Sequence, residues 1–438
     1  MLGSTLLSAA VCLAAAAPSP PPPPKLDKRA IERFAERWFE ARPPTRFADW
    51  DEARRAELLD EAAQVAVPEG ALEDVVELLW KAARKHGPRT RNDEFETPFG
   101  KASWLQSGRG KGKGLVLGLH GGGEGAGSAS EATRWVAKGC IGIYPQGIRL
   151  VHDTWNTVHG ERFLLTLIEL AKLRHEIDPD RVYSMGFSMG GTGSWFLAGR
   201  HPDLLAGSRP CAGVLMAQPK SQLETKEEVE ALQHGFVPNV RNLAMDYFIG
   251  LEDRNCMPGT YLYVWDRILE LRAEDPGGYR DIRFDVIPGL AHAFPPGEPT
   301  AGIARVIEHR RNAFPDKLVW EYVSDPYPLP APDAPVGRLP KHHFYWLHCD
   351  RPVDRMRVVA ERDGNEFDVT VERVAPGALS ILLRPGVFDP GREVVVRVNG
   401  EETWRGRPSP SFRTIVESFD AKLDRTLVFD RAAPLVAD

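Results

Sequence analysis

The chain has 438 residues, with 55 Lys+Arg against 61 Asp+Glu and a formal net charge of −6. It carries no basic excess, which excludes nucleic-acid binding as a first reading. Hydrophobic residues make up 42% and charged residues 26%. These values exclude disorder and fibre for most of the chain, and the length predicts two or three domains. Five cysteines (Cys12, Cys140, Cys211, Cys256 and Cys349) contain no CxxC pair and cannot supply a disulfide framework, so the fold must stand on its cores.

Residues 1–24 carry no charged side chain. Leu6 to Ala17 form an apolar run well short of the roughly 20 residues that span a bilayer, so no transmembrane helix is expected. The run and the small residues before Pro18 fit a secretory signal cut near Ala17, although a basic n-region is missing. Export is therefore expected, to the medium or to the cell envelope or periplasm, with Pro18 to Pro24 as a stiff spacer. Lipidation of Cys12 is left open.

Residues 25–94 repeat apolar positions at helical spacing (Ile31, Phe34, Trp38; Leu72, Val75, Val76, Leu79) and predict a helical N-terminal region of two or three helices. Over 95–324 the texture changes to short apolar runs, Leu115–Leu119, Cys140–Tyr144, Val182–Phe187, Tyr247–Ile249 and Ile282–Ile287. These alternate with helical stretches such as Phe163–Leu173 and Tyr261–Leu271, a pattern that predicts an α/β domain with a mostly parallel sheet covered on both faces. Residues 325–340 read as a Pro-rich linker. In 341–438 the apolar positions alternate (Phe367, Val369, Val371; Leu379, Ile381, Leu383; Val394, Val396, Val398) and meet the hairpin signal Asn399-Gly400, predicting a small antiparallel β-sandwich-like domain.

The chemistry concentrates in the middle domain. Gly186-Phe187-Ser188-Met189-Gly190 follows the strand-like RVYSM and precedes a helical stretch. This is the context a nucleophile elbow needs, a sharp strand-to-helix turn with glycines two residues either side of the serine. Upstream, Leu115–Leu119 runs into His120-Gly121-Gly122-Gly123. Main-chain N–H donors from Gly121 and Gly122, with that of Met189, are expected to form an oxyanion hole, each donor stabilising an acyl-transfer transition state by roughly 3 to 4 kcal/mol. The serine needs a base oriented by a carboxylate, in the order Ser, acid, His, each on a loop after a strand. Asp253 in GLEDRN suits the acid, with Glu252 as fallback, and His292 in GLAHAF suits the base. Trp155 is a candidate to stack on substrate, or equally to close the core under its loop. His342, His343, His348 and Cys349 invite a zinc reading, but two adjacent histidines point to opposite faces of a strand, and no metal site is expected.

HGGG at 120–123, IDPDRVYSMGFSMGGTGSWFLAGRHPDLLAG at 177–207, GLEDRN at 250–255 and GLAHAF at 289–294 resemble the α/β-hydrolase superfamily. The likeness is greatest to its secreted branch of polyhydroxybutyrate depolymerase-like, feruloyl or acetylxylan esterase-like and "predicted peptidase" proteins. The resemblance covers roughly residues 95–315 and leaves the helical prefix and the β-domain unexplained. It implies a serine hydrolase with Ser188, Asp253 and His292 as triad and no cofactor, acting on a small or polymeric carboxylic ester. A serine peptidase, and a non-catalytic binding protein on a hydrolase scaffold, stay open as alternatives. So does polysaccharide or cell-surface contact through the C-terminal domain.

Overall fold

The computed structural model describes residues 25–88, 90, 92–122, 127–147, 155–213, 236–256, 258–324 and 337–435. The signal-like segment, Gly123 and most of the Pro-rich linker lie outside the described residues. Three helices open the described chain: α1 (Lys28–Ala41), α2 (Glu52–Ala63) and α3 (Leu72–His86). Asp27 and Asp51 start the first two by accepting the N–H groups of Ala30 and Arg54, which the open first turn leaves without helical acceptors. The helical spacing puts Ile31, Phe34 and Trp38 of α1 against Val75, Val76 and Leu79 of α3, all buried.

The next eight strands form one sheet: β1 (Glu94–Thr97), β2 (Gly100–Ser107), β3 (Gly114–Leu119), β4 (Cys140–Gln146), β5 (Val182–Phe187), β6 (Gly207–Cys211), β7 (Ala244–Gly250) and β8 (Ile282–Ile287). Their order is β1-β2-β4-β3-β5-β6-β7-β8. The pairs β1/β2 and β2/β4 are antiparallel, and every pairing beyond is parallel. Leu115, Leu117 and Leu119 of β3 point to one face, covered by α5 (Val158–His175), α6 (Met189–Arg200) and α7 (Pro258–Glu274). Val116 points to the other face, under α4 (Ala129–Ala132) and α8 (Thr300–Ile307). A strand buried on both faces has no polar side to show, hence the unbroken apolar runs of its sequence. Among the described residues no helix is long and apolar enough to cross a membrane.

The remaining strands are β9 (Lys317–Glu321), β10 (His343–Phe344), β11 (Leu347–Cys349), β12 (Arg357–Asp363), β13 (Glu366–Glu372), β14 (Leu379–Leu383), β15 (Val394–Val398), β16 (Glu401–Gly406) and β17 (Arg431–Pro434). They build a four-stranded sheet, β10-β11-β14-β17, and a five-stranded one, β16-β15-β13-β12-β9. The two sheets share one core, in which Trp320 stacks on Phe344 at 5.4 Å and Trp346 meets Phe367 edge-on at 5.6 Å. Asn399 and Gly400 both take positive φ, 50° and 88°, as a two-residue hairpin between β15 and β16 requires.

Three features depart from the sequence reading. β9 was expected within the catalytic domain, yet it pairs antiparallel with β12, Trp320 opposite Val358, because Leu318 and Trp320 have their apolar partners in the sandwich core. β13 and β15 are parallel, since β14 between them in sequence belongs to the other sheet. Residues 341–438 also contain a helix, α9 (Phe412–Lys422), whose Phe412, Ile415, Val416 and Phe419 pack among the N-terminal helices, Phe412 lying 4.9 Å from Phe34. In the histidine cluster, the rings of His343 and His348 stack at 4.4 Å across β10/β11, and His342 Nδ1 bonds the Cys349 carbonyl at 2.9 Å.

Buried charge joins these layers. Asp203, beyond the end of α6, is fully buried between Lys341 at 2.8 Å and Lys422 at 2.6 Å. Asp424 takes Lys172 of α5 and Arg311 at 2.9 and 3.0 Å. Both carboxyls are held well below the usual range, because the neighbouring cations outweigh the burial that alone would raise them. His201 next to them is pushed down to about 4, by burial first and then by Lys341. The bonding agrees with a neutral ring, whose Nε2–H donates to Glu161 at 2.6 Å while Nδ1 accepts from Lys341 Nζ at 3.3 Å. A histidine whose folded pKa is depressed takes up its proton on unfolding, so stability falls as pH drops from 6.5 towards about 4. Urea-unfolding midpoints across that window should show this slope, reduced by about one proton in His201→Gln; an unchanged slope in that variant would show that His201 is already charged in the folded protein.

Candidate active site

Ser188 sits between the last residue of β5 and the first of α6 with φ 58° and ψ −123°, a conformation that side chains other than glycine's rarely adopt. Its backbone is held on both sides: its N–H donates to the Cys211 carbonyl at 3.0 Å, and its own carbonyl accepts the Thr192 N–H at 3.0 Å. Space explains the flanking glycines. A Cβ on Gly186 would lie 2.2 Å from the Gly190 carbonyl oxygen, and one on Gly190 would lie 2.2 Å from that of Leu119. The serine side chain makes no capping bond to its own helix.

The strand-end loops bring the other predicted residues to this turn. β7 ends three residues before Asp253, whose carboxylate is buried. Its Oδ1 accepts the N–H groups of Asn255 and Cys256 at 2.8 and 3.0 Å, and its Oδ2 takes His292 Nδ1 at 2.7 Å. Glu252 is exposed, so the fallback acid is set aside; its N–H donates to Leu290, tying the acid loop to the histidine loop. The bond to a carboxylate fixes the proton on Nδ1 of His292 and leaves Nε2 with a lone pair. The imidazole keeps 19% of its side-chain surface and lies 4.8 Å from the Phe187 ring, one residue from the serine. Among the described residues no hydrogen bond joins Ser188 Oγ to the ring. Such bonds commonly tighten only with substrate in place.

The glycine loop after β3 closes the opposite side. A Cβ on Gly121 would be 3.4 Å from that of Ser188. Gly122 has φ 77°, and the first N–H groups of α6, that of Met189 among them, point out of the helix without helical acceptors. His120 holds the loop: its Nδ1 bonds the Gly121 carbonyl at 2.9 Å, and its Nε2 accepts the Gly147 N–H at 3.0 Å. Trp155 does not line a cleft as a substrate platform would. It is 3% exposed, donates Nε1–H to the His120 carbonyl at 3.1 Å and packs on Gly193, where a Cβ would come within 2.3 Å. Its large apolar face is used up in the core, which leaves it to prop the glycine loop. Sequence reasoning did not foresee Cys256 beside Asp253 and His292; an unpatterned cysteine three residues after Asp253 carries no signal of its own.

Ser188, Asp253 and His292 thus follow the C-terminal ends of β5, β7 and β8 in an eight-stranded sheet with antiparallel first strands. A mostly parallel sheet with antiparallel first strands and a serine at a strand-to-helix turn is the arrangement that the α/β-hydrolase resemblance leads one to expect. No family model and no curated relative matches the chain in sequence. Among solved structures, a thermostable esterase is similar at 20% identity and TM-score 0.36, over 50% of this chain and 62% of that one. Esterase PE8 follows at 14% and 0.35, over 47% and 96%, and an acylaminoacyl peptidase of Pyrococcus horikoshii at 15% and 0.37, over 50% and 39%. The chain thus spans less than two thirds of the thermostable esterase and of the peptidase.

The elbow geometry makes a direct prediction. Gly190→Ala forces its methyl into the Leu119 carbonyl, and overpacking of this kind costs about 1–3 kcal/mol. The variant should melt at lower temperature and react more slowly with a serine-directed phosphonate probe even where it stays folded. Unchanged labelling of the folded variant would show that the turn relaxes freely.

Proposed function

We propose that this protein is a serine hydrolase of carboxylic esters working through an acyl-enzyme. In this reading Ser188 Oγ attacks the ester carbonyl while His292 Nε2 takes its proton. Asp253 keeps the ring in the tautomer that frees Nε2 and stabilises the imidazolium. The carbonyl oxygen, now an anion, accepts hydrogen bonds from main-chain N–H groups of Met189 and of the Gly121–Gly122 loop. The imidazolium returns its proton to the leaving alkoxide, and the ester C–O bond breaks. Water, deprotonated by His292, then attacks the acyl-enzyme and releases the acid and Ser188.

The observation that carries this reading is the strained Ser188 backbone beside an imidazole already bonded to a buried carboxylate. The motif resemblance at 177–207, 250–255 and 289–294 supports the secreted polyhydroxybutyrate depolymerase-like and feruloyl esterase-like branch, and with it an exported enzyme. The β-domain belongs to the proposal as a contact for polysaccharide or cell surface, testable by pull-down with the whole chain on insoluble xylan and cellulose.

Fluorophosphonate labelling of the folded protein, abolished in Ser188→Ala, is the decisive experiment. That substitution should lower kcat on p-nitrophenyl acetate by about 10⁶. Folded protein that never labels sinks the enzyme reading in favour of a binding module. Peptide anilides turned over far faster than esters would move the assignment to a peptidase.

A further inference from the structure

The proposed mechanism uses Asp253 and His292 and leaves Cys256 idle. Yet Cys256 Sγ, a carboxylate oxygen of Asp253 and a ring nitrogen of His292 all lie within 4.8 Å of one another, and among the described residues no other group of three or more such donors is so arranged. The turn that fixes the acid also delivers the thiol, because bonding of the Asn255 and Cys256 N–H groups to Asp253 Oδ1 wraps the chain around the carboxylate. Asp253 and Cys256 are buried, and the partly exposed His292 ring is the side open to solvent. The buried rings of Tyr247 and Tyr261 lie beside this group, 5.1 Å apart, with Tyr261 within electrostatic reach of both Cys256 and Asp253.

We propose that Asp253, Cys256 and His292 form a binding site for a thiophilic divalent cation, zinc by its donor set, and that its occupancy switches the hydrolase off. A thiolate, an imidazole and a carboxylate suit tetrahedral zinc and disfavour magnesium or calcium. With bonds of about 2.0 to 2.3 Å, tetrahedral donors sit roughly 3.3–3.8 Å apart, so donors within 4.8 Å need shifts of only about an ångström. Binding at Nδ1 moves the ring proton to Nε2, which keeps the imidazole a neutral ligand, and binding at Sγ releases the thiol proton to solvent. Carboxylate and thiolate then balance the two positive charges, and water fills the fourth position. With its Nδ1 on the metal and its carboxylate drawn away, His292 no longer serves as base. The inhibition rests on the hydrolase reading; the binding does not.

Calorimetry with zinc chloride on the EDTA-dialysed full chain separates the two. One zinc ion per chain is expected in wild type and equally in Ser188→Ala, with affinity weakened roughly tenfold or more in Cys256→Ser and unchanged in Cys140→Ser. Hydrolysis of p-nitrophenyl acetate should fall with the same midpoint and return with EDTA. Should Cys256→Ser lose its circular-dichroism signal of folding, the thiolate-to-cadmium charge-transfer absorption of the wild type reads the same ligand. No stoichiometric binding, equal affinity in folded Cys256→Ser, or no cadmium–thiolate band overturns the site, and zinc that binds without inhibiting overturns the switch. Zinc binding by a protein inert towards esters would uphold the site and defeat the hydrolase reading instead.

Discussion

The active-site architecture depends on one strained residue. Ser188 leaves β5 and enters α6 through a backbone conformation that costs about 1–3 kcal/mol, which the surroundings must over-determine. They do so with two backbone hydrogen bonds, to Cys211 and from Thr192, and with close approaches at Gly186 and Gly190 that admit no Cβ. The turn sets Ser188 at the C-terminal end of β5, next to the open first N–H groups of α6. In the proposed mechanism a relaxed turn would lose nucleophile and oxyanion donors together.

Around this point the loops are tied to one another more than to solvent. The Asp253 loop is bonded to the Leu290 carbonyl of the histidine loop, and the carboxylate is saturated by two N–H groups and the imidazole. The glycine loop is held through His120 and propped by Trp155. The same closeness leaves Cys256 near Asp253 and His292, so the packing that bonds carboxylate to imidazole also brings three metal-ligand donors together. Further out, carboxylates with no access to water clamp the layers: Asp203 and Asp424 are each flanked by two cations from different parts of the chain, and removing one partner of such a pair costs about 3–5 kcal/mol. The catalytic layer, the helical layer and the β-sandwich are thereby held in one register.

Much of this was legible before any coordinates. β5 and β8 run over the residues the apolar runs marked, and the helices beginning at Lys28 and Leu72 bury the positions their spacing selected. Ser188, Asp253 and His292 were singled out from strand–loop order, each standing within a few residues of the end of a strand whose pattern is strong. Less visible were β9, a five-residue strand whose sheet is set by pairing with a segment some forty residues later, and α9, whose apolar face has its partners nearly the whole chain away. Trp155 had two readings of equal merit, since the sequence does not say on which side of a loop an indole packs.

Local chemistry therefore settled what stands next to what along the chain: the strand periods, the glycines that a serine turn needs, and the hairpin at Asn399-Gly400, each governed by steric rules acting over a few residues. Tertiary structure alone decided the Asp253–His292 bond, the burial of Trp155, the β9–β12 pairing and the nearness of Cys256 to the acid and base. Those contacts join residues separated by loops, and a loop's composition limits where its ends can go without specifying where they meet; burial of the apolar faces on either side makes that choice.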